Sequence, residues 1–238
     1  MIRNKVNMPI LILQQVEHEP ASLIEHVIHE AGWETHTIMT MEDLIPQALV
    51  NYSGLVVMGG HMSANDVHLG FIQSQISLLE WCIRYSVPVL GICLGAQLLA
   101  KAAGGEIIPS PVRELGWYRL HPTFFAIDDP LFGEMLDTGL DVFQWHGETF
   151  TLPETATLLA TNPDVIHQAF KLNARQYGIQ FHAEITEPLI HEWIEHGTSE
   201  SAYLGDDGIK TLLEKTPKSL PAARSFCRHM INQWLALG

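Results

Sequence analysis

Cys93 stands where a run of apolar residues stops. The stretch Val87-Pro-Val-Leu-Gly-Ile-Cys-Leu-Gly-Ala-Gln97 reads as a buried strand, a sharp turn bracketed by Gly91 and Gly95, and the start of a helix. Small residues on both sides let the backbone bend tightly, so the side chain at the tip stands above the sheet as a nucleophile elbow. The helix that begins there turns its partial positive charge toward the sulfur, which favours the thiolate, the form that attacks a carbonyl carbon. The backbone N–H of Leu94 is then placed to meet the developing oxyanion. Near the other end of the chain, Tyr177-Gly-Ile-Gln-Phe-His-Ala-Glu184 alternates apolar and polar residues as a strand does. Period two puts His182 and Glu184 on one face, where the carboxylate can orient the imidazole and stabilise it when it takes a proton. Together they compose an activated-nucleophile set of Cys93, His182 and Glu184. A third segment, Leu55-Val-Val-Met-Gly-Gly-His-Met-Ser63, ends a strand in two glycines. Gly60 is the candidate for a second oxyanion donor. Taken singly, each piece has a plainer reading: a packed core cysteine, one structural histidine among thirteen, an ordinary Gly-Gly turn.

In this order the three motifs resemble the triad-type class I glutamine amidotransferases. That family carries a Gly-Gly loop, a Gly-x-Cys-x-Gly-x-Gln elbow and a His-Pro-Glu. The corresponding residues here are Gly59-Gly60, Gly91 to Gln97, and His182-Ala-Glu184. Arg113-Glu-Leu-Gly-Trp117 and Gln144-Trp-His-Gly-Glu148 are similar to the branch containing the glutaminase domain of GMP synthase, and the resemblance covers roughly residues 8–195. It implies that Cys93 attacks the side-chain amide of glutamine, that His182 carries the thiol proton to the departing ammonia, and that a γ-glutamyl thioester is hydrolysed to glutamate. It also implies that Gly59, Gln97, Trp145, His146 and Gly147 hold the amino-acid end of the substrate. Ala183 replaces the usual proline and permits the same local geometry. The residues after Glu184 contain no Ser-Gly-Gly phosphate loop and are too few for an ATP-pyrophosphatase domain. The expected partner is therefore glutamine or another γ-glutamyl small molecule, with the ammonia released or passed to a separate synthase subunit. Neither cofactor nor metal is called for. Two further functions stay open: a standalone hydrolase of γ-glutamyl peptides or amines, and a degenerate amidotransferase that only binds or regulates.

The elements that must position these residues follow from periodicity. Strands are expected over 9–16, 34–39, 54–58 and 87–92, and helices over 20–31, 71–85 and 94–103, with Gly32 ending the first helix. Alternating strands and helices argue for an α/β, flavodoxin-like doubly wound sheet with a mainly parallel core and helices on both faces. Short strands over 106–109, 115–121, 140–144, 157–161, 165–171 and 176–181 then follow one another and predict antiparallel additions. Helices are expected over 188–195, 208–214 and 221–237, separated by a polar, mobile loop over 197–207. One domain spans the chain, with a core of about 8–195 and a helical extension of about 196–238.

The formal charge of 13 minus 27, or −14, argues against non-specific nucleic-acid or anionic-membrane binding, which needs basic patches. Three cysteines at irregular spacing suit a reducing compartment and suggest no zinc site; Cys82 and Cys227 read as packing residues in helices. The first eight residues lack the pattern of a signal peptide and no apolar run approaches a membrane span, so the cytoplasm is the expected location. His26 and His29 share a helix face, and His61 and His68 flank the Gly-Gly loop; His61 reads as part of a pocket mouth rather than a metal ligand. An α/β-hydrolase with Asp164 as its acid is the rival fold.

Overall fold

Isoleucine, leucine and valine fill positions 10–13, 55–57 and 89–90, and strands of that kind are buried on both faces. The computed structural model describes residues 8–133 and 139–237; residues 1–7, on which most of the signal-peptide expectation rests, lie outside it. In chain order the elements are β1 (Ile10–Gln14), α1 (Ser22–Glu30), β2 (Thr35–Met39), β3 (Gly54–Val57), α2 (Gly70–Arg84), β4 (Val89–Ile92) and α3 (Leu94–Ala102). There follow β5 (Ile107–Pro122), β6 (Leu140–Phe150), β7 (Thr157–Thr161), β8 (Ala169–Lys171), β9 (Gln176–Ile179), α4 (Glu187–His196) and α5 (Thr198–Ala236).

One nine-stranded sheet runs in the order β2-β1-β3-β4-β9-β8-β7-β5-β6. The first five positions in that order pair in parallel. Their order is that of a doubly wound flavodoxin-like sheet, in which ligands sit beyond the carboxyl ends of the strands. The remaining pairings are antiparallel, as the run of short strands predicts. One face of the sheet is covered by α1 and α5, whose Val27, Ile28, Phe226 and Ile231 share a core with β1. Trp234, near the end of α5, is buried in that core and lies against Gly54 of β3. The other face is covered by α2 and α3, which supply Leu78, Leu79, Leu98 and Leu99. A third cluster joins Trp117 and Phe143 of the antiparallel hairpin to Trp193 of α4 and Leu212 and Leu220 of α5.

Five expectations are corrected. The segments 106–109 and 115–121 are one long strand, β5, interrupted by a shift of register between Pro109 and Glu114. Of the expected strand 165–171 only Ala169–Lys171 pairs. The alternating stretch 177–184 is a strand only to Ile179; beyond it His182 makes an isolated antiparallel bridge to Phe143 and Ala183-Glu184 turns. The polar segment expected as a loop over 197–207 is helical from Thr198 onward. Its polarity reflects side chains facing outward from α5, and the helix is interrupted only at Gly205, with φ 62° and ψ 176°. Pro217 and Pro221 lie within α5, so the two expected C-terminal helices are one element. The helix runs on through both prolines, with Thr216, Leu220, Ala223 and Phe226 buried around them. No described helix is long and apolar enough to cross a membrane.

The turn after β4 is packed backbone to backbone. A Cβ on Gly95 would lie 2.0 Å from the Val57 carbonyl oxygen, and one on Gly91 would lie 2.5 Å from the Gly95 carbonyl oxygen. Neither neighbour can move without breaking the parallel ladder. Gly95→Ala is therefore expected to cost more than about 3 kcal/mol in urea unfolding, or to prevent folding. Gly70→Ala, where nothing lies within 4 Å of the added carbon, should change stability by no more than about 0.5 kcal/mol.

Candidate active site

Crowding at the turn fixes Cys93 in a conformation few residues adopt, with φ 51° and ψ −107°. Its N–H donates to the Ile179 carbonyl (2.8 Å) and its carbonyl accepts from the Gln97 N–H (3.0 Å), so the strained residue is held from both sides. Leu94 opens α3, where backbone N–H groups have no partner within the helix. Gly60 packs next to the Leu94 side chain, so the two candidate oxyanion donors are neighbours. Gly59 lies behind them, between Cys93 and His182.

The imidazole of His182 is buried and its Nδ1 meets Glu184 Oε1 at 2.7 Å. The pair forms across a turn rather than along a strand: the His182 N–H donates to the Phe143 carbonyl, and the Glu184 carbonyl accepts from Leu23. Trp193 of α4 stands edge-on to the ring, with centroids 4.5 Å apart and planes at 79°. The Trp193 indole N–H donates to the His18 carbonyl at 2.9 Å. Burial by itself would lower the proton affinity of His182. The Glu184 carboxylate and Cys93 outweigh it and hold the ring well above its ordinary value.

A cavity of about 750 Å³ opens over Cys93. Gly60, His61, Gln97, Trp145, His146 and Gly147 line it, which brings most of the expected substrate-contacting residues to one place. Leu94, His182 and Glu184 lie in the packed structure behind it. His146 is tied down: its Nδ1 faces the Glu148 carbonyl at 3.0 Å and its Nε2 faces Glu114 Oε2 at 2.9 Å. Glu114 is fully buried and also accepts from Asn162 and Gln168, at 2.6 and 2.7 Å. The Glu-Leu-Gly-Trp motif is thus a structural anchor, completed by Trp117 donating to Thr216 of α5. Asp164 takes part in a turn headed by Asn162, and it is Glu184 that pairs with His182. Among the described residues no three His, Cys, Asp or Glu side chains gather as a metal site. His26 instead pairs with Glu30 and His29 with Thr35.

Two residues at the site escaped the sequence reading. Gln180 is fully buried and its Nε2 points at Cys93 Sγ, 3.7 Å away; Gln97 supports it through a 3.3 Å hydrogen bond to Oε1. The period-two pattern that paired His182 with Glu184 also runs through Gln180. Glu19 lies in the loop after β1 and lines the cavity. Its carboxyl is pushed up to about 7, by burial first, with the His182 charge opposing and the Glu184 and Glu200 charges adding to the rise. The rule that ligands gather beyond the carboxyl ends of parallel strands marks this loop.

A doubly wound sheet, an elbow cysteine and an adjacent His–Glu pair define the class, and residues 19–197 match the model of the family described as glutamine amidotransferase class-I. The chain belongs to that family. It is 34% identical over 177 residues to the GMP synthase [glutamine-hydrolyzing] of Porphyromonas gingivalis, an alignment covering 74% of this chain and 33% of that protein. The chain thus spans about a third of the length of the GMP synthases it matches. A glutamine amidotransferase-like protein of Salmonella typhimurium is 29% identical over 167 residues, which is 67% of this chain and 68% of that one. A solved glutamine amidotransferase from Thermotoga maritima superposes with a TM-score of 0.87 at 30% identity, covering 96% of this chain and 98% of that one.

Two outcomes follow from the geometry. Burial pushes the Cys82 thiol up to about 12 and raises Cys227 further, so both stay protonated and inert at pH 8. Iodoacetamide should therefore modify Cys93 first by mass spectrometry, and Gln180→Leu should slow that reaction about 3- to 10-fold by removing an N–H donor from the sulfur. Glu19 gives a pH signature. An acid whose folded value, about 7, lies above its ordinary 4.5 holds its proton more tightly when folded, so its contribution to stability falls as pH rises across that window. Wild type should thus lose on the order of 2 kcal/mol relative to Glu19→Gln between those limits, read by denaturant unfolding at each pH.

Proposed function

We propose that the chain hydrolyses the side-chain amide of glutamine, or of a related γ-glutamyl compound, through a thioester on Cys93. The observation that carries this reading is the His182–Glu184 pair buried against an elbow cysteine. The Cys93 thiolate attacks the amide carbon, and the carbonyl oxygen becomes an oxyanion between the N–H groups of Gly60 and Leu94. His182, which holds the proton from the thiol, gives it to the nitrogen as the C–N bond breaks, and ammonia or an amine departs. His182 then takes a proton from water, the hydroxide adds to the thioester, and glutamate leaves as the thiol reforms. Glu184 keeps the ring oriented throughout. Gln97, Trp145, His146 and Gly147 receive the amino-acid end of the substrate. The ammonia is either released or handed to a separate synthase, as the name of the GMP synthase relatives suggests. The size of the cavity supports the second enzymatic reading, a hydrolase of larger γ-glutamyl amides, because about 750 Å³ is in the range of sites that take drug-sized molecules.

Release of ammonia and glutamate from glutamine by the purified protein tests the reading. Cys93→Ala should abolish it, and 6-diazo-5-oxonorleucine should label wild type at Cys93 alone. Turnover that survives in the variant, or labelling spread over Cys82 and Cys227, would overturn it.

A further inference from the structure

The Glu19 carboxyl occupies the part of the cavity next to the reacting groups. Its Oε2 lies 3.0 Å from the point where a Cβ on Gly59 would stand, and the same point is 3.0 Å from His182 Cε1 and 3.5 Å from Cys93 Cβ. The carboxyl therefore lies near the Cε1 edge of the His182 ring, beside the reacting groups. It is mostly buried, it faces the cavity, and among the described residues it makes no side-chain hydrogen bond or ion pair. Glu200, in the first turn of α5, lines the same cavity and is close enough for its charge to act on Glu19. Two half-enclosed carboxyls with only the His182 charge beside them are costly, and an ammonium group would relieve both. The one arginine at the cavity, Arg113, is turned away toward Gly147 and over the Tyr203 ring, 5.4 Å from its centroid. It stands on the wall expected to receive the substrate's α-carboxylate. The cavity thus carries Glu19 and Glu200 on one side, and Arg113 with Glu148 on the wall of Trp145, His146 and Gly147.

From this arrangement we propose that Glu19 and Glu200 form a leaving-group subsite for a positively charged amine. The preferred substrate is then a γ-glutamyl amine whose leaving group carries a second ammonium. Glu19 meets the nitrogen that departs and Glu200 the distal charge. The assignment rests on the hydrolase reading above and adds its substrate class. The departing bond is the same amide C–N bond, the proton comes from His182, and the product is a diamine in place of ammonia.

The test is a series of γ-glutamyl amides of matched length: those of 1,4-diaminobutane, butylamine and 4-aminobutyrate, beside glutamine. The cationic leaving group should exceed the neutral one at least tenfold in kcat/KM, with the anionic one slowest. Glu19→Gln and Glu200→Gln should each draw the cationic-to-neutral ratio toward one, and added salt should reduce it in wild type. Equal rates for the three, or an equal loss on all of them in the variants, would place the carboxyls at the glutamyl end and overturn the proposal while leaving the hydrolase reading intact. If nothing in the series is turned over, the hydrolase reading falls by itself. Calorimetric titration of 1,4-diaminobutane into wild type and Glu19→Gln then decides the subsite alone. Binding lost in the variant supports it, and no binding to wild type overturns it.

Discussion

The contact between the Gly95 backbone and the Val57 carbonyl is the constraint on which the rest of the site depends. It leaves no room for a side chain, brings α3 down onto the ends of β3 and β4, and forces the strain of the turn onto Cys93. Such strain persists only where the surroundings over-determine it. Here they do so through the bonds of Cys93 to Ile179 and Gln97. The imidazole beside a sulfur fixed in this way is itself held in place. The Glu184 carboxylate and the Trp193 ring leave His182 little freedom, and a short hydrogen bond inside a dry wall is stronger than the same bond in water.

Behind the cavity runs a second layer of polar contacts. The Glu114 carboxylate collects donors from His146, Asn162 and Gln168, and Glu148 offers its carbonyl to both His146 and Gln97. From Gln97 the chain of bonds continues to Gln180 and so to Cys93. A buried network of this kind stabilises only when every member is matched, because each unmatched group in it costs desolvation. That explains why segments far apart in sequence carry such specific polar residues. Their side chains reach one another, and Gln97 and His146 border the cavity as well.

That Cys93, His182 and Glu184 come together was legible because the elbow glycines and the His-x-Glu spacing are local patterns. The central sheet was legible for a related reason, since buried parallel strands announce themselves as unbroken apolar runs in β1, β3 and β4. Gln180 was hidden because a glutamine carries no distinctive signal until the fold turns its amide toward Cys93. Glu19 was hidden because its role comes from distance to His182 and Glu200, which lie far along the chain. The helical nature of 197–207 was obscured by composition, as a helix resting one side on a hairpin shows few apolar residues per turn. Pro217 and Pro221 suggested two helices because local rules place a break at proline, whereas the tertiary packing of Leu212, Leu220 and Phe226 carries the helix through.

The bond from the Trp193 indole to the His18 carbonyl joins residues separated by 175 positions. One lies in the first loop of the fold, the other in the helix that follows the last strand. Contacts of such separation form late, after the entropy of closing the long loop has been met. During synthesis, therefore, the elbow and its cysteine emerge well before the base that would arm them. A chain that stops before Ile179 lacks both the carbonyl that holds Cys93 and the imidazole beside it, so the site takes shape only when both ends of the molecule have met.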